Sequence, residues 1–403
     1  MQIDKRSQIV SKTVFIFALG ISCFSFIPVM FPKLLLNLVN DYGMSSDAYE
    51  LGSNAVPSII FITLFLISLL FFRYRKSLIL SNFLELLSKF DTSKRTTMII
   101  LGTIFAVYIY FTWDELFSDE SILQDYYNVI AGVRNLQLVD PDTGHWNFFF
   151  LRYVLLKISN DILGNIRFLP FISSCVLLFF TYLFTKEISK KRFTGIIAVI
   201  VLLQSNLFLL FDSTSTYETF WITFYLISVY LILKRTRLSF ISYIMSVSTK
   251  AISVLFLPIS LFLISQSNFS KKIKIQSIAI YVIPFVIFVV AAHFLGILDF
   301  ATYTNTQNRD FWTSVSSFAI ATRFDGLVLS IFFPTLIILY FKSKKYNDYS
   351  TFLLFSILIL LIMPWIIHYS LNYTNQPYRL ISLITFVAIA FGTLFSSESS
   401  KSK

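Results

Sequence analysis

The sequence predicts an all-α fold, a polytopic transmembrane helical bundle of about twelve spans, and three observations carry that prediction. Hydrophobic residues make up 56% of the 403 and charged residues 14%, with a mean hydropathy of +0.72; a water-soluble chain carries about a quarter charged residues. Apolar runs close to the roughly 17–25 residues needed to cross a bilayer recur along the whole chain. Most of the 33 Lys and Arg fall in clusters at 5–12, 73–95, 186–192, 234–237, 271–274, 342–345 and 401–403, which occupy alternate connections and the two tails.

That alternation fixes an orientation. Lys and Arg are retained on the cytoplasmic side of a membrane, so these connections and both termini are expected inside. The net charge of +11 then records topology, with some attraction to anionic lipid, and no nucleic-acid partner is expected. Cys23 and Cys175 both fall in apolar runs, which suggests neither a disulfide framework nor a thiolate metal site. The first run follows basic residues but has no small-residue cleavage site before Pro28, so it is expected to stay as an anchor.

Spans are expected near 9–38, 55–72, 98–113, 166–185, 194–211, 219–233, 238–249, 251–265, 276–296, 326–341, 350–368 and 379–395. Lys250 divides the pair at 238–265. A single helix there would reverse everything downstream and put Lys271, Lys272 and Lys274 outside, against the charge pattern. Between 73 and 97, Ile79, Leu80, Phe83, Leu84, Leu87 and Phe90 recur at helical spacing, with Asn82, Glu85 and Lys89 opposite. This pattern predicts a helix on the inner membrane surface and closes an N-terminal two-span unit, 1–97.

The principal external loop is 114–165. It holds Asp114, Glu115, Asp119, Glu120, Asp125, Asp140, Asp142 and Asp161 against Arg134, Arg152 and Lys157. Ile122, Tyr126, Val129, Val133 and Leu136 form one helical stripe, Asp140-Pro-Asp-Thr-Gly144 is a turn signal, and the apolar segment 148–158 is too short to cross. Two helices lying on the outer surface are therefore expected. Shorter external stretches lie at 212–218, 297–325 and 369–378.

Adjacent acids at a water–lipid boundary are costly to place, which makes Asp119-Glu120 the first candidate for chemistry. Asp125 and Gly132 follow at short spacing, then His145-Trp-Asn-Phe-Phe-Phe-Leu151, Gly164-Asn-Ile-Arg167-Phe-Leu-Pro170 and a Gly195 after the basic turn at 190–192. Tyr217-Glu218 ends the next external turn, and Thr249-Lys250 precedes Leu255-Phe-Leu-Pro258. In order and spacing, 119 to about 265 resembles the GT-C class of polytopic membrane glycosyltransferases, the protein mannosyltransferases and aminoarabinose transferases that use lipid-phosphate sugars. Two departures leave the sugar and the acceptor open: Trp146-Asn147 stands where paired prolines are usual, and the turn from Asp212 to Glu218 lacks an Arg.

The resemblance implies a GT-C-like catalytic membrane core at 98–265, with C-terminal helices at 266–403 completing a donor cleft. It implies Asp119 as catalytic base or acceptor-positioning residue with Glu120 beside it, and Asp125, His145, Asp212 and Glu218 as substrate-binding positions. General chemistry agrees for the acid pair. Glycosyl transfer develops oxocarbenium-like charge that a carboxylate stabilises, or requires deprotonation of the attacking hydroxyl. Asp114-Glu115 is a rival pair. A departing lipid phosphate needs cations aimed at it, and Lys250 and Arg379 are the candidates, although either also suits an interfacial cation that reaches for the headgroups.

No metal or cofactor is expected. Asp119, Glu120, Asp212 and Glu218 together would nonetheless suit Mg²⁺ or Mn²⁺. Tyr126, Tyr127 and Trp146 are candidates for stacking on a sugar. The expected activity is transfer of a sugar from a polyprenyl- or dolichyl-phosphate donor to a lipid-linked glycan, surface lipid or protein on the outer face, as in protein glycosylation or cell-envelope assembly. The alternative is a lipid-linked-glycan flippase or transporter. A glycan polymerase or ligase is disfavoured, because 297–325 offers only Arg309 and Arg323.

Overall fold

The apolar runs become helices because nothing in them competes for the backbone, and they end where turn residues or clusters of polar side chains return. The structure is a computed structural model. It describes residues 5–30, 90–118, 126–134, 150–215, 218–234, 238–266, 270–294, 325–344, 348–371 and 377–396, with short stretches at 56–57, 60–65 and 67–68 and single residues 136 and 236. These residues are mostly helical, and no strand occurs among them. Most of the expected surface helix at 73–97 lies outside them, and the expected span at 55–72 is described only in those short stretches.

Helix α1 (Lys5–Met30) precedes α2 (Lys94–Trp113), which a 3₁₀ turn, Asp114–Phe117, continues. The short α3 (Tyr126–Arg134) and α4 (Phe150–Asp161) lead to α5 (Phe168–Ser189), α6 (Arg192–Leu203) and α7 (Asn206–Phe211). Then come α8 (Glu218–Leu233), α9 (Ser239–Thr249), a 3₁₀ segment (Ala251–Phe256), α10 (Leu257–Gln266) and α11 (Lys271–Phe294). The chain closes with α12 (Gly326–Lys344), α13 (Asp348–Leu371), a 3₁₀ turn (Pro377–Leu380) and α14 (Ile381–Leu394).

Two of these stretches, Lys94–Phe117 and Phe168–Ser189, are long and apolar enough to cross a membrane. Only 17% of the most apolar window of Lys94–Phe117 is buried, and Ile99, Tyr110 and Phe111 are 62%, 75% and 70% exposed. A helix of a water-soluble protein turns such side chains toward a core, whereas a surface of this kind matches hydrocarbon. Helix α11 repeats the pattern, with Ile283, Val286, Ile287 and Phe294 uncovered.

Two expected spans are broken. The run at 194–211 divides into α6 and α7 at Gln204-Ser205, where three consecutive polar residues, Gln204 to Asn206, offer the backbone local alternatives to helix. The Ser205 hydroxyl donates to Asp325 across this break. At 238–265 the helix stops at Lys250, which is extended (φ −157, ψ 125). Helix α9 has 11 residues and so rises about 16 Å, roughly half the hydrocarbon thickness. Its far end folds back on the following 3₁₀ segment: the Tyr243 hydroxyl donates to Ser253 O at 3.0 Å, and Ser246 Oγ donates to Ser253 Oγ at 2.8 Å. The division at Lys250 is thus a hairpin of short arms.

The chain forms two compact units that interleave in sequence. One takes Met1–Thr97, Ile188–Leu207 and Thr304–Lys403; the other takes Met98–Glu187 and Phe208–Tyr303. Residues 98–265, read from the sequence as one core, therefore contribute to both. In the first unit α14 packs on α6, α12 and α13, and α1 packs on α12 and α13. Ser11 and Thr351 share a hydrogen bond of 2.8 Å, and Phe15 stacks on Tyr340 at 4.0 Å. Lys342 Nζ donates to Thr393 O and Leu394 O at 2.7 and 2.8 Å, satisfying carbonyls that the end of α14 leaves open.

In the second unit α8 and α9 are the most intimate pair. Serines make the close approach workable, because their hydroxyls satisfy themselves on the neighbouring backbone. Ser242 Oγ donates to Phe224 O at 2.7 Å, Ser246 Oγ to Trp221 O at 2.8 Å, and Ser228 Oγ to Ser239 O at 2.8 Å. The expected external helices are α3 and α4. They pack through Val129, Val133 and Leu156 onto Ile166 and Phe220, which buries Val129 and Val133 of the stripe read from the sequence.

Candidate functional site

The candidate site lies in the second unit, where helix ends meet. Helix α2 loses its apolar character at Asp114, and the 3₁₀ turn stops at Ser118, whose backbone is extended (ψ 156). Ser118 Oγ donates to Glu115 O at 2.8 Å, which closes the turn. Asp119 and Glu120 follow in sequence and lie outside the described residues, as do Asp125, His145 and Trp146; α3 includes Tyr126 and Tyr127, but their side chains are likewise outside the description. The rival pair, Asp114-Glu115, sits on the described turn.

The loop between α4 and α5 brings the second component. Gly164 has φ +75, a conformation that side chains disfavour, and it lets the chain turn sharply here. Asn165 then works in three directions. Its Nδ2 donates to Leu116 O at 2.6 Å, its Oδ1 accepts the Arg167 N–H at 2.9 Å, and its carbonyl accepts from Ser159 Oγ at 2.6 Å. Arg167, 6% exposed, fans out from this base. Nη1 donates to Ser118 O and Ser118 Oγ at 3.0 and 2.8 Å, Nε to Ser213 O at 3.1 Å, and Nη2 to Ser213 Oγ at 2.9 Å.

The turn after α7 brings the third component. Asp212 is fully buried. Oδ2 accepts the Tyr108 hydroxyl of α2 at 2.7 Å, and the Asp212 carbonyl accepts Ser174 Oγ of α5 at 2.5 Å. Oδ1 is sealed from solvent and has no hydrogen-bond partner. Burial pushes the Asp212 carboxyl up to about 7; the Tyr108 hydroxyl opposes that rise and the nearby Glu115 charge adds to it. At neutral pH it therefore divides between its protonated and ionised forms.

Glu218 opens α8 as its first residue, where a carboxylate meets the positive end of the helix dipole. It is 1% exposed and accepts from Trp221 Nε1 at 2.7 Å and from Lys250 Nζ. Both Glu218 and Lys250 were read as substrate-binding positions, and the structure pairs them as an ion pair in which Glu218 is buried and Lys250 partly so. Arg379 belongs to the other unit, half-buried in the 3₁₀ turn before α14, with its guanidinium 5.7 Å from the Tyr378 ring centre.

No family model, curated protein or solved structure matches this chain.

Of the residues expected at the site, Asp212, Glu218 and Lys250 thus stand in one unit, and Asp212 and Glu218 share one short connection. The oxygen set weighed for a divalent ion is described only through those two acids, and Glu218 already holds Lys250 and Trp221. Among the described residues no three His, Cys, Asp or Glu side chains gather. Sequence reading passed over Arg167, Tyr108, Ser118 and Ser213 as site residues. Arg167 had a signal, a cation outside the Lys and Arg clusters at the start of an expected span, and a charge there is seldom idle. Tyr108 had none, because a tyrosine inside an apolar run looks like any packing aromatic.

Proposed function

We propose that this chain is an integral-membrane glycosyltransferase with about twelve membrane segments and both termini in the cytoplasm. It would transfer a sugar from a polyprenyl- or dolichyl-phosphate donor to a lipid-linked glycan, surface lipid or protein at the outer face. The observation that carries the reading is the gathering of polar groups at one end of apolar helices. Glu115 and Ser118 end α2, Arg167 precedes α5, Asp212 and Ser213 follow α7, Glu218 starts α8 and Lys250 ends α9. The opposite ends of α2, α5 and α8 carry Lys94, Lys186 and Lys234, the arrangement a membrane enzyme with external chemistry requires.

On this reading Asp119 takes the proton of the acceptor hydroxyl as that oxygen bonds to the anomeric carbon. The bond from that carbon to the phosphate oxygen breaks, and the lipid phosphate leaves with its electron pair. Asp212, Glu218 and Lys250 line the approach, with Lys250 as the cation for the phosphate. Support comes from the resemblance over 119–265 and from Arg167, which holds the residue before Asp119 beside the turn that carries Asp212. Cell glycans test the reading: a deletion strain should lack one sugar on an otherwise complete lipid-linked or surface glycan, and purified protein should restore it from a lipid-phosphate donor.

The second reading, a lipid-linked-glycan flippase or transporter, draws on the breaks at Gln204-Ser205 and Lys250, since transporters use interrupted helices. It foretells normal sugar addition in vitro without the protein, and loss only of glycan delivery across the membrane.

A further inference from the structure

We propose that Arg167 is a positioning residue that fixes the register of two external turns, 114–118 and 212–215, and that turnover depends on this register; the second clause rests on the glycosyltransferase reading. The geometry is that of a clamp. Three guanidinium nitrogens reach four oxygens, two on Ser118 and two on Ser213. Each serine is held by both its carbonyl and its hydroxyl, so neither turn can rotate about the contact without breaking a bond. Asn165, two residues earlier, grips Leu116 O on the first turn while fixing the Arg167 backbone, and Ser159 fixes Asn165 in turn. Gly164 and its φ of +75 let the loop present both side chains from one short segment.

This is more than helix packing requires. A buried guanidinium sacrifices hydration, and apolar side chains would join helix ends at lower cost. What Arg167 adds is direction: a planar fork with fixed angles, in a site shielded from water where each bond is strengthened. The two turns it joins are the ones that bear carboxylates. Ser118 is three residues from Glu115 and immediately precedes Asp119; Ser213 follows Asp212. Displacement of a reacting group by about 1 Å costs on the order of a hundredfold in rate, so a residue that sets this spacing acts on kcat and leaves donor affinity in place.

The test compares the parent with R167Q, R167K and the double variant S118A/S213A, assayed with a polyprenyl-phosphate sugar. R167Q should lower kcat about a hundredfold with the donor KM within about twofold. R167K should recover little, because one ammonium cannot span both turns; a purely space-filling or charge role would be largely rescued by Lys. The double variant, which keeps Arg167 and loses the two hydroxyl acceptors together with the Ser118 bond to Glu115 O, should lose about tenfold in kcat. Spin labels at Phe117 and Leu210, in a background free of Cys23 and Cys175, read the register without any assay: R167Q should broaden a narrow distance distribution. Parental kcat in R167Q, or in the double variant where R167Q does not fold, overturns the dependence of turnover on the clamp. A distance distribution as narrow as the parent's overturns the positioning role. A parent that transfers no sugar defeats the glycosyltransferase reading instead, and the spin-label distances still decide whether Arg167 sets the register.

Discussion

Tyr108 donates its hydroxyl to Asp212 Oδ2 at 2.7 Å and thereby joins the middle of a membrane-length helix to the turn after α7, while Asp212 Oδ1 stays buried without a partner. A carboxyl in such a place is caught between desolvation, which favours the proton, and hydrogen bonding, the Tyr108 hydroxyl foremost, which favours the charge.

The first prediction is a stability that falls as pH rises. Asp212 titrates at about 7 in the folded protein against an ordinary 3.8. Between those values the folded state keeps a proton that the unfolded chain releases. The contribution is complete below the lower value, declines through the window and is lost above about 7. Asp212→Asn should flatten this decline. Thermal unfolding in detergent across the window measures it, and an equal slope in the Asn variant would assign the titration to another group.

Tyr108→Phe should move the upper edge of that window to still higher pH, because the bond it removes favours the ionised carboxyl. Above the window the loss should reach about 1.5–3 kcal/mol, the usual worth of a hydrogen bond to a charge, and below it about 0.5–1.5 kcal/mol. A stability difference that does not change with pH would mean that the phenol contributes packing alone.

Lys250→Met should destabilise by about 3–5 kcal/mol, because it strands the Glu218 carboxylate in a buried position with only the Trp221 indole as donor. Adding Glu218→Gln should restore most of the loss. If the single variant unfolds like the parent, solvent reaches Glu218 and the pair is not a closed one. With donor KM measured alongside, Lys250→Gln and Arg379→Gln should each weaken donor binding if these cations hold the lipid phosphate.

Gly132→Ala should cost about 1–3 kcal/mol through overpacking, since an added Cβ would stand 2.6 Å from Tyr153 Cε1. Tyr153→Leu should relieve it. Equal melting of Gly132→Ala and the parent would show that α3 and α4 separate freely.

For orientation, a cysteine at Asn160 should react with an impermeant thiol reagent in intact cells, and one at Lys272 only after permeabilisation, in a background without Cys23 and Cys175. Both positions are exposed. The reverse pattern would place the candidate site in the cytoplasm.

The sequence by itself determined the helices and their apolar surfaces, because periodicity and composition act locally. An uncharged run such as 98–113 has no competitor to helix, and the stripe Val129 and Val133 can be satisfied only by a buried face. It marked Lys250 as a break, since a lone charge in an apolar run stands out without any knowledge of neighbours. It could not tell that the run at 194–211 divides at Ser205, because serine is tolerated in helices, and there its hydroxyl donates to Asp325, 120 positions away. Nor could it pair Lys250 with Glu218, which turned two separate candidates into one ion pair. Only the tertiary structure decided that Arg167 holds Ser118 and Ser213, and that Tyr108 meets Asp212. Those contacts span 49, 46 and 104 positions, and hydrogen bonds at that separation follow from how helix ends meet in space, which no local pattern encodes.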